Sequence, residues 1–300
     1  MQFIHVLATQ PTLSITALAV LGLLVGSFLN VVIHRLPRML EREWRAECCE
    51  LLAQPDPQAD APVFTLVTPR SRCPGCGTMV AARDNLPLLS WLLLRGRCRH
   101  CAAPISSRYP LVEAAGGLLG GLAAWHFSQG APADSALWLA QALLAAGLCW
   151  SLLTLALIDF DTQLLPDAIN QPLLWVGLGA SFFELFGPDL RDAVLGAMGG
   201  YGFLWCVYWG FKLLTGKEGM GYGDFKLLGA LGAWLGWQVL PMLLVISAGV
   251  GAVIGIALLV SGRSSRDKPM PFGPYLAIAG IIGLFWREDI VGFLFAGTRL

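Results

Sequence analysis

Charge is what this chain has least of. Only 13% of its 300 residues are charged, against roughly 25% in an average soluble domain. In place of charge stand 56% hydrophobic residues and a mean hydropathy of +0.64, which excludes an ordinary soluble domain and makes this an integral membrane protein; no nucleic acid is expected as a partner. No Lys or Arg precedes Arg35, so the first apolar run lacks the basic start of a secretory signal. It also leads through Gly26-Ser-Phe-Leu-Asn30 into a basic segment instead of a cleavage site, and therefore reads as a retained helix. Internal repeats and low-complexity tracts are absent. The glycine run 219–223 is not followed by Lys and Ser or Thr, which excludes a P-loop, and no strand precedes it, which excludes a dinucleotide-binding unit.

What is present is a series of apolar stretches near the roughly 20 residues needed to cross a bilayer: 14–32, 111–127, 136–158, 169–186, 193–214, 239–260 and 275–286. A shorter stretch, 227–237, is expected to be an eighth helix that spans poorly or lies tilted. The formal net charge of zero conceals an asymmetry, because 11 of the 20 basic residues lie between Arg35 and Arg108. Arg263, Arg266 and Lys268 form a second cluster. The positive-inside rule assigns both to the cytoplasm, and eight helices satisfy it where seven do not. The expected fold is an all-α polytopic membrane protein of about eight transmembrane helices, with a cytoplasmic zinc-ribbon-like insertion between the first two. The expected divisions are 1–33 for the first helix, 34–109 for the insertion and 110–300 for the remaining membrane domain. Gly116, Gly117, Gly120 and Gly121 read as sites of close helix packing.

The insertion holds Cys73-Pro-Gly-Cys76 and Cys98-Arg-His-Cys101, with residues 77–97 between them. Two such knuckles have the spacing of a tetrahedral zinc site, and a metal would hold a module whose own core is too small. With four thiolates there is no open position, so the zinc is expected to be structural. Disulfides or redox dithiols are the competing reading; a reducing cytoplasm and the absence of a thioredoxin-like pattern oppose it. His100 is a spare ligand or a surface residue. Cys48 and Cys49 lack metal spacing, and Cys149 and Cys206 read as packing residues.

Two aspartates stand at expected helix ends. Asp159 closes the third span in Ile158-Asp-Phe-Asp-Thr-Gln-Leu-Leu-Pro166-Asp167, and Asp224 follows Gly219-Met-Gly-Tyr-Gly223. The two helices between them return both to one membrane face. Peptide hydrolysis needs a base to activate water and an acid to protonate the leaving amide, and a carboxylate pair sharing one proton supplies both. The glycines before Asp224 are expected to let an extended substrate backbone approach. Asp167 reads as a helix N-cap and Asp161 as interfacial. A membrane scaffold or transporter with a structural zinc module is the competing class, since intramembrane carboxylates also serve transport.

The motifs together resemble the bacterial type IV prepilin leader peptidases. The resemblance rests on Gly26-Ser-Phe-Leu-Asn-Val-Val-Ile-His-Arg-Leu-Pro37, both Cys pairs, Asn85-Leu-Pro-Leu-Leu-Ser-Trp91, Arg108-Tyr-Pro-Leu-Val-Glu113, Leu157-Ile-Asp-Phe-Asp-Thr-Gln-Leu-Leu-Pro-Asp167, Gly216-Lys-Glu-Gly-Met-Gly-Tyr-Gly-Asp-Phe-Lys226 and Pro271-Phe-Gly-Pro-Tyr275. It implies an inner-membrane aspartic protease of the Gly-x-Gly-Asp type, with Asp159, not Asp161, and Asp224 as catalytic pair. The implied substrates are prepilins and pseudopilins, cut after a leader glycine on the cytoplasmic side. The basic leader would then be neutralised by Glu41, Glu43, Glu47, Glu50 and Asp84. It further implies N-methylation of the new amino terminus with S-adenosylmethionine, an activity tied to the zinc module. Asn30, Arg108 and Glu113 are the candidate residues for that step.

Overall fold

The computed structural model describes residues 2–129, 131, 136–261 and 270–296. The second basic cluster, Arg263, Arg266 and Lys268, lies outside the described residues. Among those described, the fold is helical without a β-strand; two isolated antiparallel bridges, Arg72 to Met79 and Arg97 to Pro104, are its only extended pairings. The chain divides into two compact units, Met1–Trp150 and Ser151–Leu300.

In the first unit a short helix α1 (Gln2–Thr9) precedes the long α2 (Pro11–Leu51). Proline at the first helical position of α2 gives up an N–H that has no intrahelical partner there. The apolar run and the charged stretch after it, read from sequence as separate, form this one helix, which continues through a buried Pro37. After a 3-10 turn at Ala82–Asn85 and the short α3 (Leu89–Leu93), α4 (Arg108–Ser128) returns antiparallel along α2. Small residues set the closeness of that pair. A methyl group on Gly26 would stand 2.7 Å from Glu113 Cα, and one on Gly120 would stand 2.5 Å from the Leu18 carbonyl oxygen. Gly116, Gly117 and Gly120 are buried at the crossing, whereas Gly121 meets only ordinary contacts. From α5 (Leu137–Thr162), which runs on into the second unit, Trp150 Nε1 donates to the Gly116 carbonyl at 2.9 Å.

The second unit continues from α5 through α6 (Asp167–Phe182), α7 (Leu190–Thr215), α8 (Tyr222–Leu235), α9 (Leu240–Val260), α10 (Gly273–Phe285) and α11 (Arg287–Phe295). Its centre is α8, in which nearly every residue from Asp224 to Leu235 is buried. The expectation of a poorly spanning eighth helix has a physical reason behind it: 14 residues rise only about 21 Å, short of the roughly 30 Å of hydrocarbon. Instead α8 is apolar on all sides because other helices surround it. Trp234 Nε1 donates to the Leu173 carbonyl of α6 at 2.8 Å, and Ser181 Oγ to the Ala233 carbonyl at 3.0 Å. Gly196 of α7 meets Gly232 backbone to backbone. Among the described residues, three helices are individually long and apolar enough to cross a membrane: α2, α5 and residues 240–257 of α9; α10 is a shorter apolar helix.

A four-cysteine cluster and a buried aspartate pair

The two cysteine knuckles fold alike because each closes the same pair of backbone hydrogen bonds. Gly77 N–H donates to the Cys73 carbonyl at 2.9 Å and Cys73 N–H to the Thr78 carbonyl at 2.9 Å; Ala102 N–H donates to the Cys98 carbonyl at 3.0 Å and Cys98 N–H to the Ala103 carbonyl at 2.9 Å. The turn requires a left-handed residue after each second cysteine, which Gly77 (φ 70°) adopts freely and Ala102 (φ 56°) adopts under strain. The result brings the Sγ atoms of Cys73, Cys76, Cys98 and Cys101 within 4.8 Å of one another. Cys73 Sγ and Cys101 Sγ are 3.7 Å apart, which fits the roughly 3.8 Å between thiolates in a tetrahedron with Zn–S near 2.3 Å. The Thr78 hydroxyl and backbone beside Cys76 pull its thiol below the ordinary range. His100 is exposed and outside the cluster.

Asp84 departs from expectation. Arg99, inside the second knuckle, holds it at 2.6 Å and keeps its carboxyl below the usual range, so Asp84 braces the module and is not available to neutralise a basic leader. Glu41, Glu43, Glu47 and Glu50 are exposed on α2. Cys149 is buried as expected of a packing residue, but Cys206 is exposed on α7.

Asn30 and Glu113 lie along the contact between α2 and the first turns of α4, the helix that Arg108 opens. Asn30 Nδ2 donates to the Gly26 carbonyl at 3.3 Å and to the Tyr109 carbonyl at 3.1 Å, while Glu113 Oε2 accepts the Leu88 N–H at 2.8 Å. Arg108 opens α4, half-buried, with its backbone N–H on Ser106 Oγ at 3.2 Å. Two of the three thus tie helix to helix and helix to module.

In the second unit Asp159 occupies the last turn of α5 and Asp224 the first turn of α8, 4% and 6% exposed. They lie close enough for the charge on Asp159 to act on Asp224. Asp161, two positions on and therefore on another helix face, is exposed. Asp159 Oδ2 accepts the backbone N–H of Gly273 at 2.9 Å, whereas Asp224 Oδ1 is buried without a hydrogen-bond partner. One carboxylate is fixed by the fold, and the other keeps an unused acceptor.

Leu165 fits between the segments that carry these groups. A methyl group on Gly223 would stand 2.7 Å from Leu165 Cβ, and one on Gly273 would stand 2.7 Å from Asp159 Oδ2 and 3.1 Å from Leu165 Cδ2. Gly223 therefore makes room for Leu165 and not for a substrate backbone; among the glycines before Asp224, Gly219 is filled by the Phe211 ring, while a methyl group on Gly221 would meet nothing nearer than Asp224 Oδ2 and the Gly223 nitrogen at 4.0 Å. Buried Asn170 secures the Leu165 turn, its Nδ2 donating to the Leu165 carbonyl at 3.3 Å. Asp167 is not the N-cap of α6, a place taken by Pro166; its carboxylate pairs with Lys226 of α8 at 2.7 Å. The roles of Gly273 and Asn170 escape sequence reasoning. The Pro271-Phe-Gly-Pro motif is the available signal for Gly273, but a backbone donor leaves no trace in residue type.

Residues 20–127 match the family described as Bacterial Peptidase A24 N-terminal domain, and residues 146–256 match the Type IV leader peptidase family. A protein of Stutzerimonas stutzeri named prepilin leader peptidase/N-methyltransferase is 52% identical over 297 residues, 99% of each chain. Proteins of the same name from Aeromonas hydrophila and Pseudomonas aeruginosa are 54% identical over 93% of each chain, and 51% identical over 97% of this chain and 96% of the other. No solved structure matches.

Proposed function

Because this chain belongs to the type IV leader peptidase family, we propose that Asp159 and Asp224 carry out its peptide cleavage and that the cysteine module serves its second activity. The enzyme is a prepilin leader peptidase and N-methyltransferase. It removes the basic leader of type IV prepilins and type II secretion pseudopilins after a glycine, then methylates the exposed amino group with S-adenosylmethionine.

The observation that supports the catalytic assignment is the pair itself: two buried carboxylates in electrostatic contact, one held by a backbone N–H and the other with an unsatisfied oxygen. One carboxylate takes a proton from water as the water oxygen bonds to the carbonyl carbon of the leader glycine. The protonated partner gives its proton to the departing amide nitrogen as the C–N bond breaks, and the pair has exchanged roles. Gly273 fixes Asp159 Oδ2, which leaves the other carboxylate oxygen of Asp159 for the proton transfer.

The four cysteines would hold one structural zinc, whose chemistry is to join the two knuckles; with four thiolate ligands no position is left for substrate. Residues 34–109 form this module and 110–300 the peptidase part. Asn30, Arg108 and Glu113 serve the methyl transfer, Asn30 and Glu113 as positioning residues through the bonds described. Eight helices, α2 and α4 to α10, build the part held in the bacterial inner membrane, with the short α8 enclosed by the others and not itself a full crossing, and the basic residues between Arg35 and Arg108 favour a cytoplasmic active site. The test is mass spectrometry of a prepilin peptide incubated with purified enzyme and S-adenosylmethionine. Loss of the leader plus one methyl is expected. Neither change would return the chain to the scaffold or transporter class.

A further inference from the structure

Segment 86–94, Leu-Pro-Leu-Leu-Ser-Trp-Leu-Leu-Leu, is apolar in a module otherwise rich in charge, yet it does not form a core. Leu86, Leu89, Leu92 and Leu93 are 52%, 58%, 62% and 81% exposed. Leucines this dense and this exposed mark an interaction surface.

The hydrogen bonds of the segment set its depth. Leu88 N–H is bound by Glu113, and Glu113 packs level with Gly26 of α2. The antiparallel register is continued by Asn30 on Tyr109. Gly26 lies within the apolar part of α2, and the nine residues from there to Arg35 rise roughly 13 Å. A glutamate side chain spans much less than that, so Leu88 sits on the apolar side of the Arg35 level. Arg83, Arg95 and Arg97 are exposed and flank the segment at both ends, as cations flank a helix lying among lipid headgroups.

We propose that segment 86–94 is an interfacial membrane anchor, its four exposed leucines entering the acyl region of the bilayer that holds α2 and its flanking arginines meeting headgroup phosphates. The proposal rests on reading α2 and α9 as membrane spans. It makes the cysteine module a membrane-docked body, held at the surface by its own leucines as well as by α2 and α4.

The test uses the full chain in vesicles of phosphatidylethanolamine and phosphatidylglycerol, with photoreactive benzoylphenylalanine in place of Leu93, or of Leu89 should the first variant not fold. Val67, 80% exposed in the same module, and Val253, 69% exposed in α9, carry the same probe in separate proteins. After illumination, phospholipid adducts at position 93 are expected about tenfold above those at 67, as for an acyl-buried side chain. Adducts no more frequent than at 67, or adducts to a second copy or to an added pilin in place of lipid, overturn the anchor. Lipid adducts missing at 253 as well would instead overturn the membrane reading on which it rests.

Discussion

The cysteine module and the aspartate site solve opposite problems. In the module few side chains are buried, among them Cys73 and Ser90, and each cysteine knuckle is a turn that closes within five residues. Around the aspartates little is exposed: α8 is largely buried from Asp224 onward, and the bond from Gly273 to Asp159 joins positions 114 apart in sequence. A site suited to a metal can be written locally because a bound ion would supply the cohesion. A carboxylate pair has no such partner, so packed helices must hold it.

That contrast breaks most sharply under substitution of the carboxylates. Asp159→Asn or Asp224→Asn is expected to lower leader cleavage by about 10³-fold or more, since an amide can neither take nor give the proton. Zinc content and methylation of a pre-cleaved pilin should be retained. Asp161→Asn, on an exposed position, should stay within a few-fold of the parent, roughly the scale of surface changes. Mass spectrometry of the released leader reads all three, and an essential Asp161 beside a dispensable Asp159 would reverse the assignment.

The converse substitution acts on the other region. Cys73→Ser or Cys101→Ser should take zinc from about one per chain to almost none, and expose the module to protease. Cleavage should persist. Elemental analysis of reduced, freshly purified protein checks it; a metal-free parent would reject the site.

A backbone donor gives the next smaller effect. Gly273→Ala places a methyl group 2.7 Å from Asp159 Oδ2, and the displaced carboxylate should lower kcat for cleavage by about 10²-fold with KM little changed. Gly280→Ala, which crowds Leu231 at 2.5 Å on the same helix, serves as the packing control. It should lower stability without that selective fall in kcat. Equal kinetic losses in both would reduce Gly273 to a packing residue.

The smallest effects sharpen the local rule. Gly77 has φ 70° and open space around it, so Gly77→Ala should weaken zinc retention by about 1 kcal/mol through backbone strain alone. Ala102→Gly, at φ 56°, should strengthen it by a few tenths to about 1 kcal/mol. Competition with a chelator measures both, and effects of the same sign would contradict the shared turn.

The two regions also differ in how far residue order alone makes them legible. Helix positions are readable because apolar stretches of near-spanning length leave a strong pattern, and the stretches 14–32, 136–158 and 239–260 coincide with the three helices that, among the described residues, are able to span by themselves. The continuity of α2 through Pro37 is not readable, because tertiary burial outweighs the local cost of proline. Asp167 resembles a cap because its position before a helix favours one; only the fold brings Lys226 beside it.

The sequence by itself determined that the four cysteines form one cluster able to hold a metal, since ligand type and a spacing of three residues fix a turn that needs no distant partner. It also determined which aspartates to compare, since a carboxylate beside long apolar runs stands out by cost. Only the tertiary structure decided that Asp159 is held by the Gly273 amide, that Gly223 admits Leu165, and that Glu113 anchors Leu88. The reason is physical. Backbone donors and the space beside a missing side chain have no residue code of their own, and they acquire meaning only when packing brings remote segments within a few ångströms.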